Sequence, residues 1–175
     1  MSRFYPHSDY AEDQPLGHTI LAVHVLTRAV TTGAVIGSGI FGAQELARRV
    51  RKSPAPPPLP RSQLFLRAAG ASTVWTVGFL SVGLAARMWG REDIEWRDRS
   101  WRLLENQGQL ETDDWTYGGM ALGLLGTAAA AAQKGSLAAL GWRGVVGGVG
   151  VGSVAGTVGY MAWRYGVHGG KFPEK

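Results

Sequence analysis

Apolar residues fall into four blocks, which charged or proline-rich stretches separate. Their approximate bounds are 17–41, 67–88, 116–133 and 144–163. Each block approaches the ~20 residues that a helix needs to cross the ~30 Å hydrocarbon core of a bilayer. The pattern therefore predicts an all-α, multi-pass membrane protein with about four transmembrane helices in a single membrane domain, 16–163. A polar segment, 1–15, precedes this domain and a polar tail, 164–175, follows it.

Small residues recur every fourth position inside these blocks, and residues four apart lie on one face of a helix. An interior glycine destabilises a helix in water by about 0.5–1 kcal/mol relative to alanine. In lipid, however, small residues let two helices approach closely. The glycines predicted to pack helices in this GxxxG-like manner are Gly33, Gly37, Gly119, Gly123, Gly144, Gly148, Gly152 and Gly156. The second block carries its small face at Ala69, Thr73, Val77, Ser81 and Ala85.

Two ionisable residues, His24 and Arg28, interrupt the first block one turn apart. In one interpretation, Arg28 lies near the membrane surface and extends its guanidinium to the headgroups. In the other, it is buried and pairs with an acidic group. Because no predicted span contains Asp or Glu, we expect such a partner to come from another chain or from a lipid phosphate.

The stretch 44–67 is basic, with six Lys and Arg residues against Glu45. Arg48, Arg49 and Arg51 are candidates for contacts with a partner or with lipid. Prolines between 54 and 60 predict a stiff, extended connector. With four spans, 44–67 and 134–143 share one side of the membrane, and the excess of Lys and Arg predicts the cytoplasmic or matrix side.

The stretch 90–115 is acidic, with four arginines against eight carboxylates. Apolar residues such as Trp96, Trp101 and Leu104 fall near helical spacing, which predicts an amphipathic surface helix. Its negative charge favours docking on a protein partner over anionic lipid, so Trp96 and Trp101 are candidate partner contacts. A solvated loop is the alternative interpretation.

Candidate catalytic chemistry is sparse. The absence of cysteine excludes disulfides and thiolate sites, and the net charge of +5 is not arranged as a basic stripe with interleaved aromatics, so no nucleic-acid partner is predicted. Residues 37–42 match GxGxxG, but a dinucleotide site needs an acid about 20 residues further on, where this chain is basic and proline-rich. We therefore predict a protein that is not an enzyme and has no catalytic, cofactor-binding or metal-binding residue.

The run EWRDRSWRLLENQGQLETDDW at 95–115, with small-residue spans on both sides, resembles fungal accessory membrane subunits of mitochondrial respiratory complex I, the type called NUXM. The resemblance implies a non-catalytic accessory subunit of NADH:ubiquinone oxidoreductase in the mitochondrial inner membrane. It would stabilise or assemble the membrane arm, and its partners would be core and accessory subunits of that arm and phospholipids such as cardiolipin. The basic loops would face the matrix, and the termini and the acidic loop would face the intermembrane space.

The layout of four glycine-rich spans is also similar to the Tim17/Tim22/Tim23 group. That resemblance implies an inner-membrane protein of the translocase or channel type, and it is the alternative function. A translocase needs a polar groove through the bundle. The residues available to line one are His24, Arg28, Thr31, Thr32, Ser72 and Thr73.

Overall fold

The computed structural model describes residues 2–51, 59–133 and 137–172, and within them every regular element is helical. The helices are α1 (Gly17–Val50), α2 (Arg61–Met88), α3 (Asp93–Glu105), α4 (Gln107–Gln133) and α5 (Leu137–Met161), and a π-helical turn, Ala162–Val167, follows α5. Short 3-10 turns at Ser2–Phe4 and Ala11–Asp13 precede α1. Most of the predicted proline connector, and part of the second basic loop, lie outside the described residues. The all-α prediction is confirmed.

Three of the described helical stretches are long and apolar enough to cross a membrane: Gly17–Val50, Arg61–Met88 and Leu140–Val167. They contain the first, second and fourth predicted blocks. The third block, 116–133, belongs to α4, which is not among the three because polar side chains such as Thr116, Tyr117 and Gln133, together with glycine, lower its mean hydropathy. The helix α1 also runs past the predicted end at residue 41, since the residues up to Val50 include good helix formers and no glycine or proline beyond Gly42.

The apolar side chains of α2 point outward. Only 17% of its most apolar window is buried inside the protein. Trp75 and Phe79 are 81% and 77% exposed. An amphipathic helix in a water-soluble protein turns its apolar face toward the core. The opposite arrangement in α2 is typical of a helix that is surrounded by lipid.

Close backbone contacts join the helices in antiparallel pairs. In α1 and α2, a methyl group built on Gly33 would lie 2.5 Å from Thr73 Cα, and one on Gly37 would lie 2.6 Å from Ala69 Cα. In α4 and α5, a methyl group built on Gly123 would lie 2.9 Å from Gly152 Cα. These separations leave no room for a side chain, so the two helix pairs meet backbone to backbone.

A third close contact joins α2 to α5 in parallel. It involves Gly70 and Gly147, where a methyl group on Gly70 would lie 2.8 Å from the Gly147 nitrogen. Gly144 was expected to belong to this kind of contact, but the atoms nearest to it belong to Leu140 of its own helix. Of the predicted row in α5, Gly148, Gly152 and Gly156 contact α4, whereas Gly147, on another face, contacts α2. The helix α5 lies between α2 and α4.

The N-terminal segment 2–16, α3, the first turns of α4 and residues 162–172 gather at one end of the helices, and we call this end the polar cap. Trp101 Nε1 donates a hydrogen bond to the Ser8 carbonyl at 2.9 Å, which ties α3 to the N-terminal segment. Gln14 is 1% exposed and donates to the carbonyls of Pro6 and Pro15. At the opposite end, the basic end, α1 and α4 finish and α2 and α5 begin.

Candidate functional site in the polar cap

The intramembrane cation predicted from the sequence has its partner in the same chain. Arg28 Nη2 donates to Asp113 Oδ1 at 2.6 Å and to Gln109 Oε1 at 3.1 Å. The Asp113 side chain is 6% exposed, and His24 Nδ1 lies 3.9 Å from its second oxygen. The expectation of a partner in another chain or in lipid is wrong, because α4 begins at Gln107 rather than near 116 and carries Asp113 to α1.

A hydroxyl pair strengthens the same junction between α1 and α4. The Thr27 and Tyr117 hydroxyls lie 2.7 Å apart. Thr27 also donates to the Val23 carbonyl one turn earlier in α1, at 2.8 Å, so Tyr117 is the donor toward Thr27. Together with Arg28 and Asp113, these groups make a continuous polar contact between two helices that share few backbone contacts elsewhere.

A second arginine, more deeply buried than Arg28, joins α4 to the end of α5. Arg164 is 4% exposed, and its Nε donates to Glu111 Oε2 at 3.0 Å, while its Nη2 contacts both carboxylate oxygens. The same guanidinium contacts the Lys171 carbonyl and stacks 4.6 Å above the Phe172 ring. Arg164 thus holds residues 171 and 172 of the polar tail against the cap.

The start of α4 therefore acts as a hub for three arginines. Asp114 pairs with Arg3 of the N-terminal segment at 2.6 Å, in addition to the pairs that Asp113 and Glu111 make with α1 and α5. Successive residues in a helix point about 100° apart, so three nearby acids face three different directions. A short acidic stretch can thus bind three separate parts of the chain at once.

Trp96 and Trp101 were predicted to contact a partner or lipid. In the structure, both pack against the N-terminal region of their own chain. Trp96 stacks on His18 with ring centroids 4.3 Å apart. Trp101 stacks on His7 at 5.9 Å, besides its hydrogen bond to Ser8. The helix α3 therefore docks on its own chain through its tryptophan face.

The basic residues lie at the other end of the molecule. Glu45 of α1 accepts ion pairs from Arg48 at 3.5 Å and from Arg61 of α2 at 3.4 Å, and these contacts fix the end of one helix to the start of the next. Arg49 and Arg51 are exposed. The structure thus separates an acidic, internally paired cap from a basic end.

Several residues of the site were not predicted from the sequence: Glu111, Asp113, Asp114 and Arg164. The available signal was the spacing of three acids just before an uncharged block, in a chain whose other apolar blocks contain or adjoin Arg28 and Arg164. The GxGxxG match at 37–42 lies inside α1, so it has none of the strand-turn-helix context of a dinucleotide site. In the part of the chain that the structure describes, no group of three or more His, Asp or Glu residues is arranged to hold a metal ion.

The chemistry of this arrangement is structural bracing. Each buried charge meets an opposite charge, and the hydroxyls meet one another or a backbone carbonyl. Desolvated ion pairs that also make hydrogen bonds keep their partners in one relative position. No family model, curated protein or solved structure matches this chain.

Proposed function

We propose that this protein is a non-catalytic structural subunit of a membrane complex and that α4 is its fourth membrane-spanning helix. Support for the fourth span comes from the packing of α4 along α5. Gly119 and Gly123 of α4 contact Gly152 and other glycines of α5 over more than one helical turn. Because Leu140–Val167 is a candidate span, a helix that lies against it lengthwise shares its depth in the bilayer. The acidic first turns of α4 then lie at the membrane surface.

Within that class, we infer an accessory subunit of the membrane arm of mitochondrial complex I. The proposal starts from the resemblance of 95–115 to NUXM-type subunits. The observation that carries a structural role is the hub at the start of α4, where the acidic residues of that same run bind the chain's own arginines. Such a run shapes a rigid surface for neighbouring subunits. The basic end would face the matrix, and the polar cap would face the intermembrane space.

The translocase alternative requires polar side chains that line an open groove. Arg28 is paired with Asp113, and Thr31 donates to the Thr27 carbonyl of its own helix at 3.4 Å. Thr73 is 2% exposed and lies against Gly33 in the contact between α1 and α2. These positions favour bracing over a polar path.

The test is assembly in the native membrane. Mitochondrial membranes that carry the tagged full-length protein are solubilised gently and separated on a native gel, which is then stained for NADH dehydrogenase activity. We expect the tag to migrate with that activity. Arg28→Leu should shift part of the tag to a smaller species, whereas Arg102→Leu, which alters an exposed pair with Asp98, should not. Migration with a separate, translocase-sized band would refute the proposal.

A further inference from the structure

An apolar groove runs along the outer surface of α4 and α5 and has a volume of about 800 Å³. Its lining extends from Asp114 to Thr127 of α4, which at 1.5 Å per residue corresponds to a length of about 20 Å. Its walls are almost wholly aliphatic or glycine. Typical lining residues are Gly118, Leu122 and Gly126 of α4, Val151 and Ala155 of α5, and Leu66 of α2.

The groove is open along α4. A methyl group built on Gly118 or Gly126 would meet no atom within 4 Å. An apolar space of this size does not hold ordered water, because water needs several polar partners. In a bilayer, the groove must therefore be filled by hydrocarbon or by another helix. The charges at the ends of the groove distinguish these two occupants.

The end of the groove near Leu66 is cationic. Ala69 and Thr73 of α2 face α1, and helical spacing places Gln63 and Arg67 on the other flank of α2, beside Leu66. Within the described residues, Arg67 makes no ion pair or hydrogen bond. Gln63 Oε1 is buried and also lacks a hydrogen-bond partner in that part of the chain.

A second cation lies at the same end. The backbone breaks at Gly141, with φ of 63°, and the continuous helix of α5 starts after it with Trp142 and Arg143 in its first turn. The exposed Arg143 guanidinium lies 5.4 Å from the Trp142 ring. The backbone carbonyl of Arg143 contacts Gly70 of α2, and Gly70 lies one turn beyond Leu66. At the far end of the groove, Asp114 is already paired with Arg3. The charge pattern therefore fits a ligand that is anionic at the basic end and apolar along its length.

We propose that the groove binds a phospholipid with a net negative headgroup. Its phosphate lies near Arg67 and Arg143, where charge-assisted hydrogen bonds from arginine suit phosphate oxygens. One acyl chain lies along the glycine-lined wall. A protein helix would fit the apolar wall but would not account for the cations at one end. This inference rests on the membrane placement given under Proposed function and not on membership of complex I.

The probe is phosphatidylglycerol, compared with phosphatidylcholine, on the purified full-length protein in mild detergent, with retained lipid counted by native mass spectrometry. Gly126→Leu adds a side chain to the groove without a backbone clash, and we expect at least a fivefold loss of retained phosphatidylglycerol. Gly78→Leu is the matched control, because Gly78 on α2 also faces open space. This variant should retain phosphatidylglycerol. Circular dichroism is used to check that both variants remain helical.

The headgroup is tested separately with the double variant Arg67→Gln and Arg143→Gln. We expect it to bind the two lipids equally, whereas Arg87→Gln, at the opposite end of α2, should keep the preference for phosphatidylglycerol. Equal retention by wild type and Gly126→Leu would overturn the proposal. So would a photo-crosslinker at Leu122 that captures a protein helix in membranes instead of lipid. Lipid retention without migration at NADH dehydrogenase activity would refute the complex I proposal alone.

Discussion

The pair of Arg28 and Asp113 offers the sharpest test of the bracing role. Arg28→Leu removes the guanidinium and leaves a carboxylate whose side chain is 6% exposed, with the His24 ring nitrogen 3.9 Å from its second oxygen. We expect the variant to be much less stable, because a buried carboxylate that loses the opposite charge of Arg28 keeps its desolvation penalty and loses much of its compensation.

The size of the expected stability loss follows from how deeply the ion pair of Arg28 and Asp113 is buried. Removing one partner of a fully buried ion pair costs about 3–5 kcal/mol. Because the Arg28 side chain is 27% exposed, the lower figure of about 3 kcal/mol applies. In a protein of 150–250 residues, each kcal/mol lowers Tm by about 2–4 °C, so the expected decrease is about 6–12 °C.

The assay is thermal unfolding of the purified protein in detergent, followed by circular dichroism. Arg102→Leu is the matched control, because Arg102 and Asp98 form a pair on α3 whose side chains are 72% and 40% exposed. Exposed pairs contribute about 0.2–1 kcal/mol, and the control should therefore lower Tm by no more than a few degrees.

A double variant separates pairing from packing. If the loss comes from a buried carboxylate that lacks the Arg28 guanidinium, Arg28→Leu combined with Asp113→Leu should recover a large part of the Tm that Arg28→Leu loses. The reasoning is refuted if Arg28→Leu unfolds at the same temperature as the Arg102→Leu control. It is also refuted if the losses of the two single variants simply add in the double variant.

Three further results are expected. Gly123→Val should disrupt the contact of α4 with Gly152 and lower Tm by several degrees, whereas Gly126→Val, which faces open space, should be tolerated; equal effects would contradict the backbone contact. Arg164→Gln should release the tail and accelerate tryptic cleavage after Lys171, as measured by mass spectrometry, and an unchanged rate would contradict its anchoring role. Extraction with alkaline carbonate should leave the protein in the membrane pellet, and its release would contradict the transmembrane assignment.

Much of the helical layout could be predicted from the sequence, because runs of apolar and small residues are a local property. The blocks at 17–41 and 67–88 lie in α1 and α2, and acidic 90–115 contains a helix at Asp93–Glu105. The start of α4 could not be predicted in this way. Most residues from Gln107 to Trp115 are polar; Asn106 Oδ1 accepts a hydrogen bond from the Gln109 backbone N–H at the start of the helix, and Arg28 and Arg164 bind acidic side chains in these turns.

The residues at which neighbouring helices meet could not be predicted from the sequence either. A row of glycines at spacing four predicts which face of a helix is small, but several faces of α5 are small. Gly147 lies outside the predicted row, and its contact with Gly70 depends on where α2 crosses α5. Likewise, the partner of Arg28 depends on which turn of α4 reaches α1. Both contacts depend on how two helices are placed relative to each other, which the pattern of one helix does not determine.

The composition of α4 accounts for its two roles. Its polar first turns need acids, since they bind arginines from three parts of the chain, and its remaining turns need glycine, since Gly119 and Gly123 bring its backbone against α5. Polar residues such as Thr116, Tyr117 and Gln133 leave it less apolar than the three candidate spans. Ion pairs at the cap and backbone contacts below hold this helix against its neighbours. We therefore expect loss of the Asp113 pair to weaken α4 first, before the pair formed by α1 and α2.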